Sequence, residues 1–481
     1  MKNSIKTKII ATIGPATNTE EKITELVKAG AKIFRINSSH GTKEEHAKNI
    51  GIIRKVAKAL NEYLTVILDL QGPKIRVGNL KEPLDLKISQ EITIIPSMET
   101  DKSDTIPVDY PGIINDVKKG DRILLDDGKI HLKILSVTED SIKAEVIHGG
   151  KLTSRKGVNI PEEITSLPAI TDKDIDYMKF GIEHDIDYFA LSFVRTKEDI
   201  TRAKEYISRF NGDIPVIAKI EKPQALDNIK SIIMASDGIM VARGDLGIEI
   251  SPEYVPLVQK KLICKANCRR KAVITATQML ESMMHELTPT RAEASDVANA
   301  ILDGSDAIML SGETAIGEYP VETVNMMHLI AKDTEKSHLY KHNVSLWGHG
   351  EVYEIESQAI ATAVVRMLSE IEISAIIAFT RSGFTGRLLS KEKPSVPIIA
   401  ISDNEKICRR LNLFWDVFPY KMDFGRSFTE EMLKDLDEIL IKETFLEAGD
   451  KVIITGGLPY LAAGKTNFLR LYQIGSAGII C

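Results

Sequence analysis

The sequence predicts an α/β protein: a (β/α)8 TIM barrel with an inserted β-barrel lid domain and a C-terminal α/β domain. Three observations predict it. From Lys8 onward, short apolar runs rich in β-branched residues alternate with segments of helical periodicity, the pattern of repeated βα units around a parallel sheet. The third and fourth runs are separated by far more chain than one crossover needs. After a glycine-containing stretch around Trp347, a second α/β pattern begins at Glu356. A length of 481 residues, at roughly 150 per domain, is consistent with about three domains.

The barrel runs are Lys8 to Ile13, Lys32 to Asn37, Leu64 to Asp69, Asp187 to Phe193, Pro215 to Ile220, Gly238 to Ala242, Ala272 to Thr275 and Ala307 to Ser311. Helix starts such as Asn18 or Thr19 ahead of Glu20 and Glu21, and stops such as Gly30, fall between them. The interval of about 75–162 is punctuated by Lys119-Gly120-Asp121, Asp126-Asp127-Gly128 and His148-Gly149-Gly150, as a small antiparallel barrel would be. Beyond it, Ala375 to Thr380, Pro397 to Ser402, Val417 to Lys421, Lys451 to Thr455 and Phe468 to Ile474 read as strands of a doubly wound domain. The expected division is therefore 1–74 with 163–340 for the barrel, 75–162 for the lid and 341–481 for the last domain.

Composition excludes several function classes. Lysine plus arginine (62) against aspartate plus glutamate (68) gives a net charge of -6 without blocks of like charge. Neither a nucleic-acid arm nor a polybasic membrane surface is expected. Cys264, Cys268, Cys408 and Cys481 are spaced neither as a zinc site nor as a disulfide framework, and buried thiols in a reducing cytoplasm are the expectation. No apolar run approaches the roughly 18 residues of a membrane span, and Ile9 to Ile13 is too short for a signal-peptide core.

In an eight-unit barrel the chemistry sits where the strands end. The second run ends in Arg35, Asn37, Ser39 and His40, the third in Asp69, and the fourth in Ser192 and Arg195. The fifth gives Lys219 and Glu221, the sixth Arg243 and Asp245, the seventh Thr275 and Thr277, and the eighth Ser311 and Glu313. Any one of these alone reads as a solvated or capping side chain. Lys219 and Glu221, at i and i+2, share a strand face, as a structural ion pair or as ligand-binding groups. Glu221 and Asp245 offer hard oxygens of the kind magnesium accepts alongside water and substrate. Arg35, Arg76 and Lys219 supply the cations a transferring phosphoryl group needs. The composite is a phosphoryl-transfer site with a divalent metal.

Two partial motifs fail on spacing. Gly464-Lys465-Thr466 ends like a P-loop, but Pro459 stands where its first glycine belongs. His285-Glu286 begins like a zinc-protease helix, yet Pro289 occupies the second histidine's place. The Cys264 and Cys268 pair, at i and i+4, reads as helix core.

With these residues assembled, the chain resembles the pyruvate kinase family from end to end. The resemblance is carried by TKIIATIGPAT (7–17), FRINSSHG (34–41), ILDLQGPKIRVG (67–78), KGVNIP (156–161), IAKIEKPQAL (217–226), MVARGDLGIEI (240–250), TATQMLESM (275–283) and PTRAEASDVANAILDGSDAIMLSGETA (289–315). It implies transfer of a phosphoryl group from phosphoenolpyruvate to ADP, giving pyruvate and ATP in glycolysis, in a cytoplasmic homotetramer. It further implies that Glu221 and Asp245 hold Mg2+ or Mn2+, and that Lys219 stabilises the moving phosphoryl. Arg35 would bind the phosphate; Gly244, Asp245 and Thr277 would hold the carboxylate, with Thr277 placed to pass a proton through water. Asn37, Ser38, Ser39, His40, Arg76 and Lys156 match the nucleotide positions, with Asp127 joining from the lid. A metal-dependent aldolase or lyase on a related barrel, which also forms a pyruvate enolate, is the alternative; it would need neither lid nor nucleotide contacts. A non-catalytic role would be signalled by loss of Lys219, Glu221 or Asp245, and all three are present.

The chain departs from the family's usual pattern at one place. Asn37, Ser39, Asp69 and the carbonyl of Leu70 match a potassium site, but Lys74 stands where potassium-dependent members carry a glutamate, and Leu70, Gln71 and Val77 depart with it. A lysine ammonium there would supply a fixed charge, so no potassium requirement is expected. Ile316 replaces a lysine of many members. In the last domain Thr380, Ser382, Gly383 and Thr385 match the family's sugar-phosphate position and point to a phosphorylated effector, with a helix-capping loop as the alternative. The loop Gly456 to Thr466 lacks the aromatic and basic pairing seen where fructose 1,6-bisphosphate binds.

Overall fold

The computed structural model describes residues 5–160, 167–340, 355–424, 429–458 and 465–476. Eight parallel strands close into a barrel: β1 (Lys8–Thr12), β2 (Ala31–Asn37), β3 (Thr65–Asp69), β4 (Tyr188–Leu191), β5 (Val216–Ile220), β6 (Gly238–Ala242), β7 (Ala272–Ala276) and β8 (Ala307–Leu310), with β1 paired to both β2 and β8. Alternate residues divide between two environments, as a pleated strand requires. Ile10, Ile33, Ile67, Ile217 and Met240 fill the interior, whereas Ile9, Phe34, Leu68 and Ala218 pack outward against the helices. The first helix, Glu20–Ala29, starts at Thr19, whose hydroxyl accepts from Lys22 N at 3.2 Å. It stops at Gly30, where φ is +119° and a Cβ would lie 2.8 Å from His328 Nδ1. Only glycine satisfies both constraints.

Between β3 and β4 the insert builds a six-stranded sheet around its own core of residues such as Val77, Ile94, Ile123 and Leu132. It is mixed rather than wholly antiparallel, because Glu91–Pro96 and Thr105–Val108 pair in parallel. Bridges from Arg76 to Gly157 and from Val77 to Val108 join its two edge strands, so no long edge is left open. The five-stranded sheet of the last domain carries helices on both faces. Ala361, Leu388 and Leu411 pack on one side, and Met432, Leu436 and Leu440 on the other. Its fifth strand, Phe468–Gln473, runs antiparallel to Lys451–Gly456.

This domain seals the amino ends of the barrel strands, leaving the carboxyl ends free for chemistry. Lys8 Nζ donates to the carbonyl of Val417 at 2.8 Å, and Arg409 Nε to Asp187 Oδ1 at 2.8 Å. Asp306, fully buried, receives Lys391, lies 3.7 Å from Lys393 Nζ and accepts from Val273 N at 2.8 Å. Burial pushes Lys393 down to about 7, against the pull of Asp306, with Lys391, Asp416 and Glu335 also near it. Between that value and the ordinary lysine range the unfolded chain binds a proton that the folded chain does not, so stability rises with pH across this window. Lys393→Met should flatten the rise in stability between pH 7 and pH 10, because the buried amine that gives up its proton on folding is gone, while Asp306 keeps Lys391. Unfolding curves at pH 7 and 10 decide it; an unchanged pH slope would count against the assignment.

Two expectations on cysteine and one on motifs are answered by the fold. Cys264 and Cys268 do lie on one helix, Val255–Cys268, but Cys264 is exposed and Cys268 half-buried; Cys408 is buried, and Cys481 lies outside the described residues. The pair sits on that helix's outer side, since Leu262, Ile263 and Ala266 take the core side. His285 caps a short 3-10 turn and pairs with Glu318 at 2.9 Å. The linker around Trp347, Pro161 of the lid motif, and residues 459–464 of the P-loop-like and effector-loop segments lie outside the described residues.

Candidate active site

Side chains from the carboxyl ends of several barrel strands converge, and Lys219 is the centre of what they build. It leaves β5 with its ammonium 2.7 Å from Ser192 Oγ, 2.8 Å from Glu221 Oε1 and 3.2 Å from Asp69 Oδ1. Three donors thus meet three acceptors. Burial alone would favour the neutral amine, but Asp69 and Glu221 hold Lys219 above the ordinary lysine range, so it is an ammonium throughout neutral pH. Asp69, 1% exposed, is shared with Arg35, whose Nε donates to Oδ2 at 2.7 Å. Burial works against this carboxylate too, yet the Lys219 and Arg35 cations keep it below the usual range. Arg35 also reaches Thr12 Oγ1 at 3.3 Å.

Glu221, just past the end of β5, is 1% exposed and accepts from Phe193 N at 2.8 Å. Burial holds its carboxyl above the ordinary range; Lys219 opposes this and the charge of Asp245 adds to it. A buried carboxylate held above its ordinary range, with a second carboxylate beside it, is the donor set a hard divalent cation relieves. Among the described residues no third His, Cys, Asp or Glu joins them. Substrate oxygens and water would have to complete a metal's shell.

Asp245 sits in the first turn of the helix Arg243–Glu249, directly after β6. Gly244 N donates to Thr277 Oγ1 at 2.8 Å, and that hydroxyl donates to the carbonyl of Ala276 at 2.6 Å. Thr277 and Gln278 have φ of +68° and +53°. A β-branched residue in the left-handed region costs of order 1–3 kcal/mol and persists only where its surroundings enforce it. Arg243 does so, donating to the carbonyls of Thr277 at 2.7 Å and Gln278 at 3.0 Å while Asp296 holds its other end.

The polar ring read from the sequence therefore splits. Lys219, Glu221, Asp245, Arg35, Asp69 and Thr277 converge. Arg243, Thr275 and Glu313 face structure: Thr275 pairs with Ser305 at 2.8 Å, and Glu313 accepts from Ser311 N at 2.7 Å and Leu280 N at 3.2 Å. Ser192, unassigned in the sequence, is the neutral member, accepting from Lys219 and donating to the carbonyl of Leu70 at 2.6 Å. Its only sequence signal was its place at the end of β4.

A cleft between the barrel and the insert is lined by Lys74, Asp127, Gly157, Asn159, Phe193, Lys222 and Asp245. Lys74 is exposed there, after a turn at Gly72 (φ +67°) in which Lys74 N donates to the Gly72 carbonyl. Arg76 bonds the carbonyl of Arg155 at 3.0 Å, and Lys156 pairs with Asp126 at 2.7 Å. His40 is held below the usual histidine range, first by burial and then by Lys74, Arg76 and Arg35, which places it among these cations. Ser38 is buried, its hydroxyl donating to the carbonyl of Asp69 at 2.7 Å, and Asn37 Oδ1 accepts from Ser39 N at 3.1 Å. Ile316 is 61% exposed.

In the last domain Gly383 (φ +81°) precedes the helix Phe384–Lys391, with Thr380 buried and Ser382 exposed beside it. Thr385 is buried and hydrogen-bonded to Thr466 Oγ1 at 3.0 Å.

The chain matches the family model for the pyruvate kinase barrel domain over residues 4–324 and that for the pyruvate kinase alpha/beta domain over 358–472. It is 43% identical over 475 residues to a pyruvate kinase of Staphylococcus saprophyticus, an alignment covering 98% of this chain and 80% of that protein. Pyruvate kinases of Sporosarcina psychrophila and Bacillus licheniformis are each 43% identical, over 477 and 474 residues, with the same coverage.

Proposed function

The chain belongs to the pyruvate kinase family and is a phosphotransferase; from this we propose that it moves the phosphoryl group of phosphoenolpyruvate to ADP, giving pyruvate and ATP. The observation that carries the reading is the Lys219 ammonium, charged and buried between Asp69, Glu221 and Ser192. The catalytic barrel is assigned to 1–74 and 163–340, the lid to 75–162 and the last domain to 341–481. The working assembly is a cytoplasmic homotetramer, serving glycolysis, with a phosphorylated effector at Thr380, Ser382, Gly383 and Thr385.

Glu221 and Asp245 would hold Mg2+ or Mn2+. A divalent ion bound there supplies positive charge toward the substrate's carboxylate, enolate and phosphate oxygens. The remaining work belongs to side chains. Arg35, anchored by Asp69, binds the phosphate on its free edge. Lys219 faces the phosphoryl as its bond to the enolate oxygen breaks and charge spreads over its oxygens. The amides of Gly244 and Asp245, with Thr277, bind the carboxylate, and Thr277 relays a proton through water to the methylene carbon. Asn37, Ser38, Ser39, His40, Arg76 and Lys156 hold the nucleotide, and the lid keeps water from the phosphoryl. Lys74 stands in for potassium, so no monovalent ion is needed.

Pyruvate formation from phosphoenolpyruvate, ADP and Mg2+ tests the reading directly, and folded protein with no turnover returns the aldolase or lyase alternative. Glu221→Gln should weaken Mn2+ affinity by at least about tenfold, measured by titrating free Mn2+ without substrate. Unchanged Mn2+ binding would remove Glu221 from the metal site.

A further inference from the structure

The helix Arg243–Glu249 carries a second carboxylate besides Asp245. Glu249 follows four residues on, so both leave the same face of one short helix. Glu249 is 4% exposed, and its Oε1 accepts from Lys222 Nζ at 2.6 Å and from Asn159 Nδ2 at 2.9 Å. Lys222 Nζ also donates to the carbonyl of Ile160 at 3.2 Å. Asn159 and Ile160 belong to the insert; Lys222 is the residue after Glu221. Glu249 Oε2 is buried and has no hydrogen-bond partner among the described residues. Burial holds this carboxyl above the ordinary range, with Lys222 and Asn159 opposing and Glu221 adding to the rise. The insert meets the same helix again at its turn, where a Cβ on Gly128 would stand 3.4 Å from Ile248.

The insert therefore rests on the two elements that present Glu221 and Asp245. A charge pair this deeply buried is costly to break by removing one partner. Among the described residues its hydrogen-bonded link to the insert's side chains is the Asn159 amide.

We propose that Glu249 is a positioning residue that seats the lid over the metal pair through Asn159, so that phosphoryl transfer to the nucleotide depends on it while enolate chemistry in the barrel does not. This rests on the function proposed above. Arg76 and Lys156, the insert's cations, reach a nucleoside diphosphate only if the lid is held at the right angle. Removing a methyl proton from pyruvate and returning it is the reverse and repeat of enolate protonation, and needs only barrel residues. A purely structural role for Glu249 in holding the Asp245 helix would impair both reactions together.

The experiment uses the full chain with Mg2+ and compares two rates: pyruvate formation from phosphoenolpyruvate and ADP, and exchange of pyruvate methyl protons with deuterated water in the presence of phosphate. Asn159→Ala should raise the KM for ADP and lower kcat by about tenfold in combination, the loss of one hydrogen bond to a charged group, with methyl exchange within about twofold of the parent. Asn159→Asp, which opposes two carboxylates, should give the same split more strongly, and adding Glu249→Gln should reverse it. Unchanged ADP kinetics in both Asn159 variants, or parallel loss of both reactions, overturns the proposal. A parent chain that exchanges methyl protons but transfers no phosphoryl group overturns the underlying reading instead.

Discussion

Replacing Lys219 with methionine should lower kcat for phosphoryl transfer by roughly a thousandfold, the upper end of what one preorganised donor in a water-poor site contributes. The side chain is matched in length, so the loss is chiefly of charge. In the parent the ammonium satisfies Asp69 at 3.2 Å, Glu221 at 2.8 Å and Ser192 at 2.7 Å, and these fix where its charge points. Without it Asp69 keeps Arg35 at 2.7 Å, whereas Glu221 loses the cation that opposed its burial and rises further. Two consequences separate this from simple damage to the site. Mn2+ binding at neutral pH should persist, because Glu221 and Asp245 remain and one neighbouring positive charge has gone. Lys219→Arg should rescue poorly, since a planar fork cannot occupy a socket shaped for three donors around one nitrogen. Circular dichroism establishes that the variant is folded, and rapid-quench measurement of ATP reads the chemical step. Retention of more than about a tenth of the parent rate would remove Lys219 from the phosphoryl group.

Much of the architecture was legible because a parallel barrel buries its strands on both faces. That makes them continuous β-branched runs, and all eight were found within about two residues of their observed ends. The insert betrayed itself by length and by its turn signals; its parallel strand pairs carried no local signal, because pairing direction depends on which strand comes next in space. In the site, Lys219 and Glu221 were legible from period-two spacing and Asp245 from its glycine turn. Ser192 and Arg243 were ambiguous. A polar residue at a strand end turns inward to ligands or sideways to backbone according to contacts far along the chain, as the Arg243 bonds to Thr277 and Gln278 illustrate. The Glu249 contact with Asn159 joins residues 90 apart in sequence and leaves no pattern in either segment. Cysteine exposure failed for a related reason: spacing of i and i+4 shows that two side chains share a helix face but not which face.

The second large effect concerns the monovalent cation. Turnover of the parent chain in potassium-free tetramethylammonium buffer should equal that with potassium within about twofold, and Lys74→Glu should fall by about a hundredfold without potassium and recover when it is added. The basis is charge at the cleft. Asp69, the carboxylate in the potassium-matching set, has one oxygen on Arg35 and the other on Lys219, which leaves it little to offer a further cation. Lys74 lines the cleft with Asp245, and its charge acts on His40. A unit charge a few ångströms away in a medium of effective dielectric constant near 20 is worth about 4 kcal/mol, and screening at an exposed side chain reduces this to roughly 2–3. At 1.36 kcal/mol per decade that is about a hundredfold. Reversing the charge creates a deficit that a bound potassium ion would fill, whereas Lys74→Gln should lose rate without gaining the potassium response. Dependence of the parent on potassium would leave the phosphotransferase intact and discard Lys74 as its fixed cation. Loss in Lys74→Glu that potassium does not restore would assign the lysine to substrate binding.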